Sequence, residues 1–84
     1  MTRLWAKGQP ITAASDADGT PLSFEWKGGV HLVTGISKRW RVDTGWWRLR
    51  VWREYFKLET DTGLLVIIYR NLLTDDWYFQ RLYD

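Results

Sequence analysis

"REYFKLETDTGLLVIIYR", residues 53–70, reads as a hairpin. Phe56 and Leu58 alternate with Tyr55, Lys57 and Glu59, the period of two that a half-buried strand requires. "TDTG" (60–63) supplies turn residues. "LLVIIY" (64–69) is then apolar at every position and β-branched in its middle, the pattern of a central strand buried on both faces.

The same punctuation continues in both directions. "SDADGT" (15–20) ends in Asp18-Gly19, the strongest short-range hairpin signal. "KGG" (27–29), "DTG" (43–45) and "LTDDW" (73–77) are further turn signals. Six short segments lie between them, which predicts an all-β domain. The expected architecture is a small SH3-like barrel, or a strongly twisted antiparallel sheet, of five to six strands. Residues 1–84 form a single domain in this reading, with 1–8 as a weakly ordered N-terminal segment.

Alternation assigns the faces. Leu22, Phe24 and Trp26 are expected to point one way, and Val30, Leu32 and Ile36 to share a face. Trp77, Phe79 and Tyr83 should oppose Tyr78, Gln80 and Leu82. The expected core is Phe24, Trp26, Leu32, Phe56, Leu58, Val66, Ile68, Trp77 and Phe79. One stretch resists: Trp47, Leu49 and Val51 are odd-numbered, whereas Trp52, Phe56 and Leu58 are even. A strand cannot change phase without an extra residue. A β-bulge near Val51–Trp52 would restore the register; otherwise Trp47, Val51, Tyr55 and Leu58 form one stripe of a helix.

Composition excludes several classes. Seven Trp, four Tyr and three Phe in 84 residues make an aromatic-rich chain. Each buried ring removes roughly 150–250 Å² from water, so few aliphatic residues are needed. There is no cysteine and therefore no disulfide or thiol chemistry. His31 is the only histidine, which rules out a histidine pair or a Ser-His-Asp triad within the chain. It is expected to be a solvated residue on the polar side of a strand. Asp16 and Asp18 have the spacing of a calcium loop, but Pro21 and Lys27 stand where that loop needs Gly and Glu. Gly28-Gly29 lacks the helix start and Lys-Ser/Thr of a phosphate cradle. No apolar run approaches the roughly 20 residues of a membrane span. The expectation is a soluble, cytoplasmic, monomeric domain with no enzymatic activity, cofactor or metal.

Charge is more informative in its distribution than in its net value of +2. Lys38, Arg39, Arg41, Arg48, Arg50 and Arg53 fall within sixteen residues that contain only Asp43 as an acid. If 46–52 is extended, Trp46, Arg48, Arg50 and Trp52 share one face. Indoles that stack bases beside guanidiniums that track phosphates suit single-stranded nucleic acid. The same groups can equally close on one another as scaffold through cation–π attraction. The candidate contact residues are Arg39, Arg41, Trp46, Arg48, Arg50 and Arg53, with Trp47 and Trp52 leaning inward.

From Phe24 onward the chain runs "FEWKGGVHLV", "RWRVDTGWW", "REYFKLETDTGLLVIIYR" and "WYFQRLYD". Trp40-Arg41, Trp46-Trp47, Arg53-x-Tyr55-Phe56, Gly63, Tyr69-Arg70, Trp77-Tyr78-Phe79 and Tyr83-Asp84 carry a resemblance to the small bacterial DUF6504 family. The order is also similar to the C-terminal segment of the catalytically inactive Y-family polymerase-like subunit of the bacterial mutasome. The resemblance covers about 60 of the 84 residues. It implies an accessory module in DNA repair by translesion synthesis, with single-stranded DNA or a repair polymerase subunit as partner. It transfers no catalytic residue.

Overall fold

A computed structural model describes residues 3–46 and 49–83, with side chains at 4, 8–45 and 50–83. Seven strands are present among these residues: β1 (Arg3–Ile11), β2 (Ala13–Ser15), β3 (Pro21–Trp26), β4 (Gly29–Trp46), β5 (Leu49–Thr60), β6 (Leu65–Asn71) and β7 (Asp76–Tyr83). All neighbours pair antiparallel, in the order β1-β7-β6-β5-β4-β3-β2. The sheet curls into a half-barrel, so the expected small all-β, barrel-like class is observed with seven strands in place of five or six.

The extra strand arises at Thr12. The first part of one continuous segment lies on β7 and the second on β3, and the Glu25 amide donates to the Thr12 carbonyl at 2.9 Å. This bend draws the two edges of the sheet toward each other. β1 starts at Arg3, inside the segment 1–8 expected from the sequence to be weakly ordered.

Four of the turns are where the sequence put them. Lys27 and Gly28 both take positive φ (51° and 78°), the geometry of a two-residue hairpin turn whose twist matches its strands. Asp16 caps its own turn, its carboxylate accepting from the Asp18 and Thr20 amides. Asp43-Thr44-Gly45, however, is strand and not turn: the ladder runs on to Trp46↔Leu49. Turn formers are tolerated there because Asp43 pairs its carboxylate with Arg50, and Gly45 leaves room beside the Arg50 stem.

Residues 49–60 are strand throughout, so the helical stripe is excluded, and the pairing passes Val51–Trp52 without a bulge. A change of apolar parity needs no extra residue when both faces of a sheet carry an apolar cluster. On the inner face Phe24, Trp26, Phe56, Leu58, Val66, Ile68, Trp77 and Phe79 form the main core. On the outer face Tyr55, Ile67 and Tyr69 form a second, flanked by Trp40, Val42, Tyr78 and Tyr83. β6 serves both, and Val66, Ile67, Ile68 and Tyr69 are all buried.

The bulges lie elsewhere, and each corrects a face assignment. On β4 the register shifts at Thr34 and Ser37, whose hydroxyls donate to the Glu59 and Lys57 carbonyls. On β3 the shift falls at Leu22, which points outward and is 52% exposed. On β7 it falls at Gln80, which sends Leu82 to the main core and Tyr83 to the outer face. Leu32 was expected in the core but is 54% exposed. Its partner Ser23 is on the outer side, and the inward rung belongs to His31 opposite Phe24. His31 is thus no free surface residue: its ring stacks on Phe24 at 5.4 Å and its Nδ1 lies 2.7 Å from the Thr62 hydroxyl.

Candidate functional site

Strand pairing distributes the basic residues over two faces. On the inner face, at the end of the barrel, Arg39 and Arg41 converge on Glu54, each placing a guanidinium nitrogen 3.0 Å from one carboxylate oxygen. Arg39 also donates to the Thr20 hydroxyl and the Asp18 carbonyl and lies 5.1 Å over the Phe56 ring. Burial pushes the Glu54 carboxyl up, but the hydrogen bonds from Arg39 and Arg41 outweigh it and hold the group below the usual carboxylate value. Arg50 approaches Asp43 at 3.4 Å and covers the Trp52 ring at 4.7 Å. Arg70 is paired with Asp75. Among the described residues four guanidiniums therefore face three carboxylates on this side, which is close to charge balance.

The outer face is built differently. Directly opposed residues of an antiparallel sheet project to the same side, so the register reads out as rows across β4, β5, β6 and β7. One row is Lys38, Lys57, Ile67 and Arg81; the next is Trp40, Tyr55, Tyr69 and Tyr78; the third is Val42, Arg53, Asn71 and Asp76. The middle row is a continuous stack. Ring centroids are 5.3 Å apart for Trp40–Tyr55, 5.0 Å for Tyr55–Tyr69 and 5.1 Å for Tyr69–Tyr78.

Cations lie over rings of this row and over Tyr83 on the same face. Lys38 stands 5.2 Å from the Trp40 centroid, Arg53 4.7 Å from Tyr69, and Lys57 and Arg81 at 4.9 and 5.6 Å from Tyr83. Arg53 also donates to the Tyr55 hydroxyl at 3.3 Å. Burial pushes the Tyr69 hydroxyl above its ordinary value, with the Arg53 charge opposing that rise. At the β1 end Gly8, in the left-handed region at φ 74°, lets the backbone press so close that a Cβ there would run into the Tyr69 hydroxyl.

No described carboxylate forms an ion pair with Lys38, Arg53, Lys57 or Arg81. Glu59 and Asp76 project on flanking rows of this face without reaching them. Moreover, Lys38 and Lys57 are direct cross-strand partners. Like charges opposite each other are destabilising, and an anion held there would relieve the repulsion.

Of the six contact residues expected from the sequence, Arg53 belongs to this outer face, while Arg39, Arg41 and Arg50 are held by carboxylates on the inner one. The Trp46 side chain and Arg48 lie outside the described residues, as does Trp47. Lys57, Arg81 and Trp40 were not singled out as contacts. Their neighbourhood comes from the register of four strands, and the only trace along the chain is the alternation Arg53-Tyr55-Lys57.

Among the described residues no group of His, Cys, Asp or Glu side chains is placed to hold a metal ion, and no helix is long and apolar enough to cross a membrane. No family model matches the chain, and the comparisons with curated proteins and with solved structures likewise give no match.

Proposed function

We propose that this chain is a nucleic-acid-binding module, single strands preferred, whose outer sheet face takes the phosphate backbone. The setting we propose is DNA repair, following its resemblance to DUF6504 and to the mutasome subunit's C-terminal segment. The observation that supports this reading is the row Lys38–Lys57–Ile67–Arg81: three cations without carboxylate partners among the described residues, beside a continuous stack of aromatic rings. With strands about 4.8 Å apart the row is about 14 Å long. That is long enough to contact more than one phosphate. Each cation rests on a ring by a weak contact, and its flexible stem can carry it onto a phosphate oxygen.

Binding to a labelled single-stranded oligonucleotide across a salt series tests this. Phosphate contacts release counterions, so log affinity should fall with log salt at a slope of about −2 to −3 for three or four contacts. Lys38→Ala/Lys57→Ala/Arg81→Ala should lower affinity and flatten the slope by about 2. Arg50→Ala, which removes a cation already paired with Asp43, should change little. Absence of binding at low salt, or a folded triple variant that binds as well as wild type, overturns the proposal.

A second reading, a protein-interaction module within a repair assembly, is favoured by Leu22, Val30 and Leu32. They are 52%, 60% and 54% exposed on the β3–β4 hairpin. Retention of a repair-polymerase subunit by wild type, lost in Val30→Ser/Leu32→Ser, would support it.

A further inference from the structure

We infer that Trp40 is the base-contacting residue of this surface, and that it takes one unstacked nucleobase as the next ring of the aromatic row. The inference rests on the nucleic-acid reading above. Tyr55 and Tyr69 are interior members of the row, each with a ring neighbour on either side, and both are buried. Free ring faces exist only at the ends. At one end Tyr78 is flanked by β1, whose Pro10 is its cross-strand partner. At the other end Trp40 lies on β4 beyond the stretch that β3 covers, since β3 pairs with β4 only at residues 29–32. Among the described residues no strand follows Trp40 across that edge.

The Trp40 indole is half-buried, stacked on Tyr55 at an interplanar angle of 8°, with the Lys38 ammonium 5.2 Å from its ring centroid. A base arriving at the open edge continues the roll of rings. It displaces Lys38 from the indole toward the phosphate of the same nucleotide, so the ring gains a better stacking partner and the ammonium gains an anion. A tryptophan is well suited to this end position, because its face is the largest and stacking on it is indifferent to base identity. The consequence is selectivity for single strands: bases paired within a duplex cannot continue the stack.

The test compares oligothymidylate with a same-length abasic sugar-phosphate strand, by fluorescence anisotropy of a terminal label at low salt. Wild type should bind the oligothymidylate roughly 10-fold more tightly. Trp40→Leu should bind both strands equally, at the affinity wild type has for the abasic one, and Trp40→Phe should keep part of the preference. The wild-type comparison needs no substitution, so it stands even if Trp40→Leu fails to fold. Equal, salt-dependent binding of both strands by wild type overturns the inference and leaves the phosphate-contact reading intact. A preference that survives in folded Trp40→Leu also overturns it. Binding of neither strand at low salt overturns the reading on which it rests.

Discussion

Glu54 shows how one residue redirects a whole charge cluster. The window 38–53 contains six cations and only Asp43 as an acid, which suggested a free basic stripe; Glu54, one residue further on, pairs with two of those cations from a buried position. Spacing along the chain gave no hint of this, because Arg39, Arg41 and Glu54 meet only through the β4–β5 register. Replacing Glu54 with Gln should destabilise the domain by about 1–2 kcal/mol near neutral pH. That is a modest value, because the guanidinium partners are substantially exposed and screened. The pH dependence follows from the depressed carboxyl. A group whose folded pKa lies below its unfolded value stabilises fully above the unfolded value and loses that contribution as pH falls through the folded one. Urea unfolding should therefore separate wild type from Glu54→Gln at pH 7, and the gap should shrink on acidification below the ordinary carboxylate range. Equal stability at pH 7 would show that the clamp contributes nothing.

At the scale of elements, alternation located the core strands correctly because the inner face is deeply buried there. Phe24, Trp26, Phe56, Leu58, Val66, Ile68, Trp77 and Phe79 are all at 8% exposure or less. Part of the misplacement comes from bulges, since a bulge flips every side chain beyond it and leaves little signature in sequence. Leu22 and the Leu82/Tyr83 exchange are of that kind. The assumption of a single core was the other source of error. It made the apolar phase change in β5 look like a defect, whereas Tyr55 and Phe56 serve opposite faces of one regular strand. The main core is also unusually dependent on rings: Trp26 stacks on Phe79 at 3.8 Å and Phe56 meets Trp77 at 5.6 Å. Trp77→Ala should consequently cost about 3–5 kcal/mol, since the cavity lies between strands that cannot collapse independently. Chemical denaturation measures this, and a loss below about 1 kcal/mol would mean the neighbouring rings fill the space.

The whole molecule combines a curled half-barrel and a projecting part with different stabilities. β5 pairs with β6 only from Arg53 onward, and the last cross-connection is the Leu72 amide donating to the Trp52 carbonyl. Beyond that point the described residues 43–46 of β4 and 49–51 of β5 pair only within the β4–β5 ladder, as a two-stranded arm. The dimensions agree: the extents are 42 × 32 × 23 Å, and the radius of gyration of 12.6 Å slightly exceeds the about 12 Å expected for a compact domain of this length. An isolated two-stranded ribbon is marginal in water, and the exposed Arg50–Asp43 pair adds little. The arm should open locally without disturbing the barrel. Its amides, at Asp43, Thr44, Gly45 and Arg50, should exchange with solvent orders of magnitude faster than those of Val66–Tyr69, which have a strand on either side and both faces buried. Native-state hydrogen exchange resolves the two classes. Adding mild denaturant should leave arm exchange nearly unchanged while accelerating the β6 amides in step with global unfolding. Arm amides protected as strongly as those of β6 would mean the ribbon is docked and shares the cooperative unit. In free protein fast exchange at Gly45 alongside slow exchange at Tyr69 and Ile67 would place the outer-face aromatic row on the rigid part of the molecule, where a binding surface that relies on a preformed stack has to be.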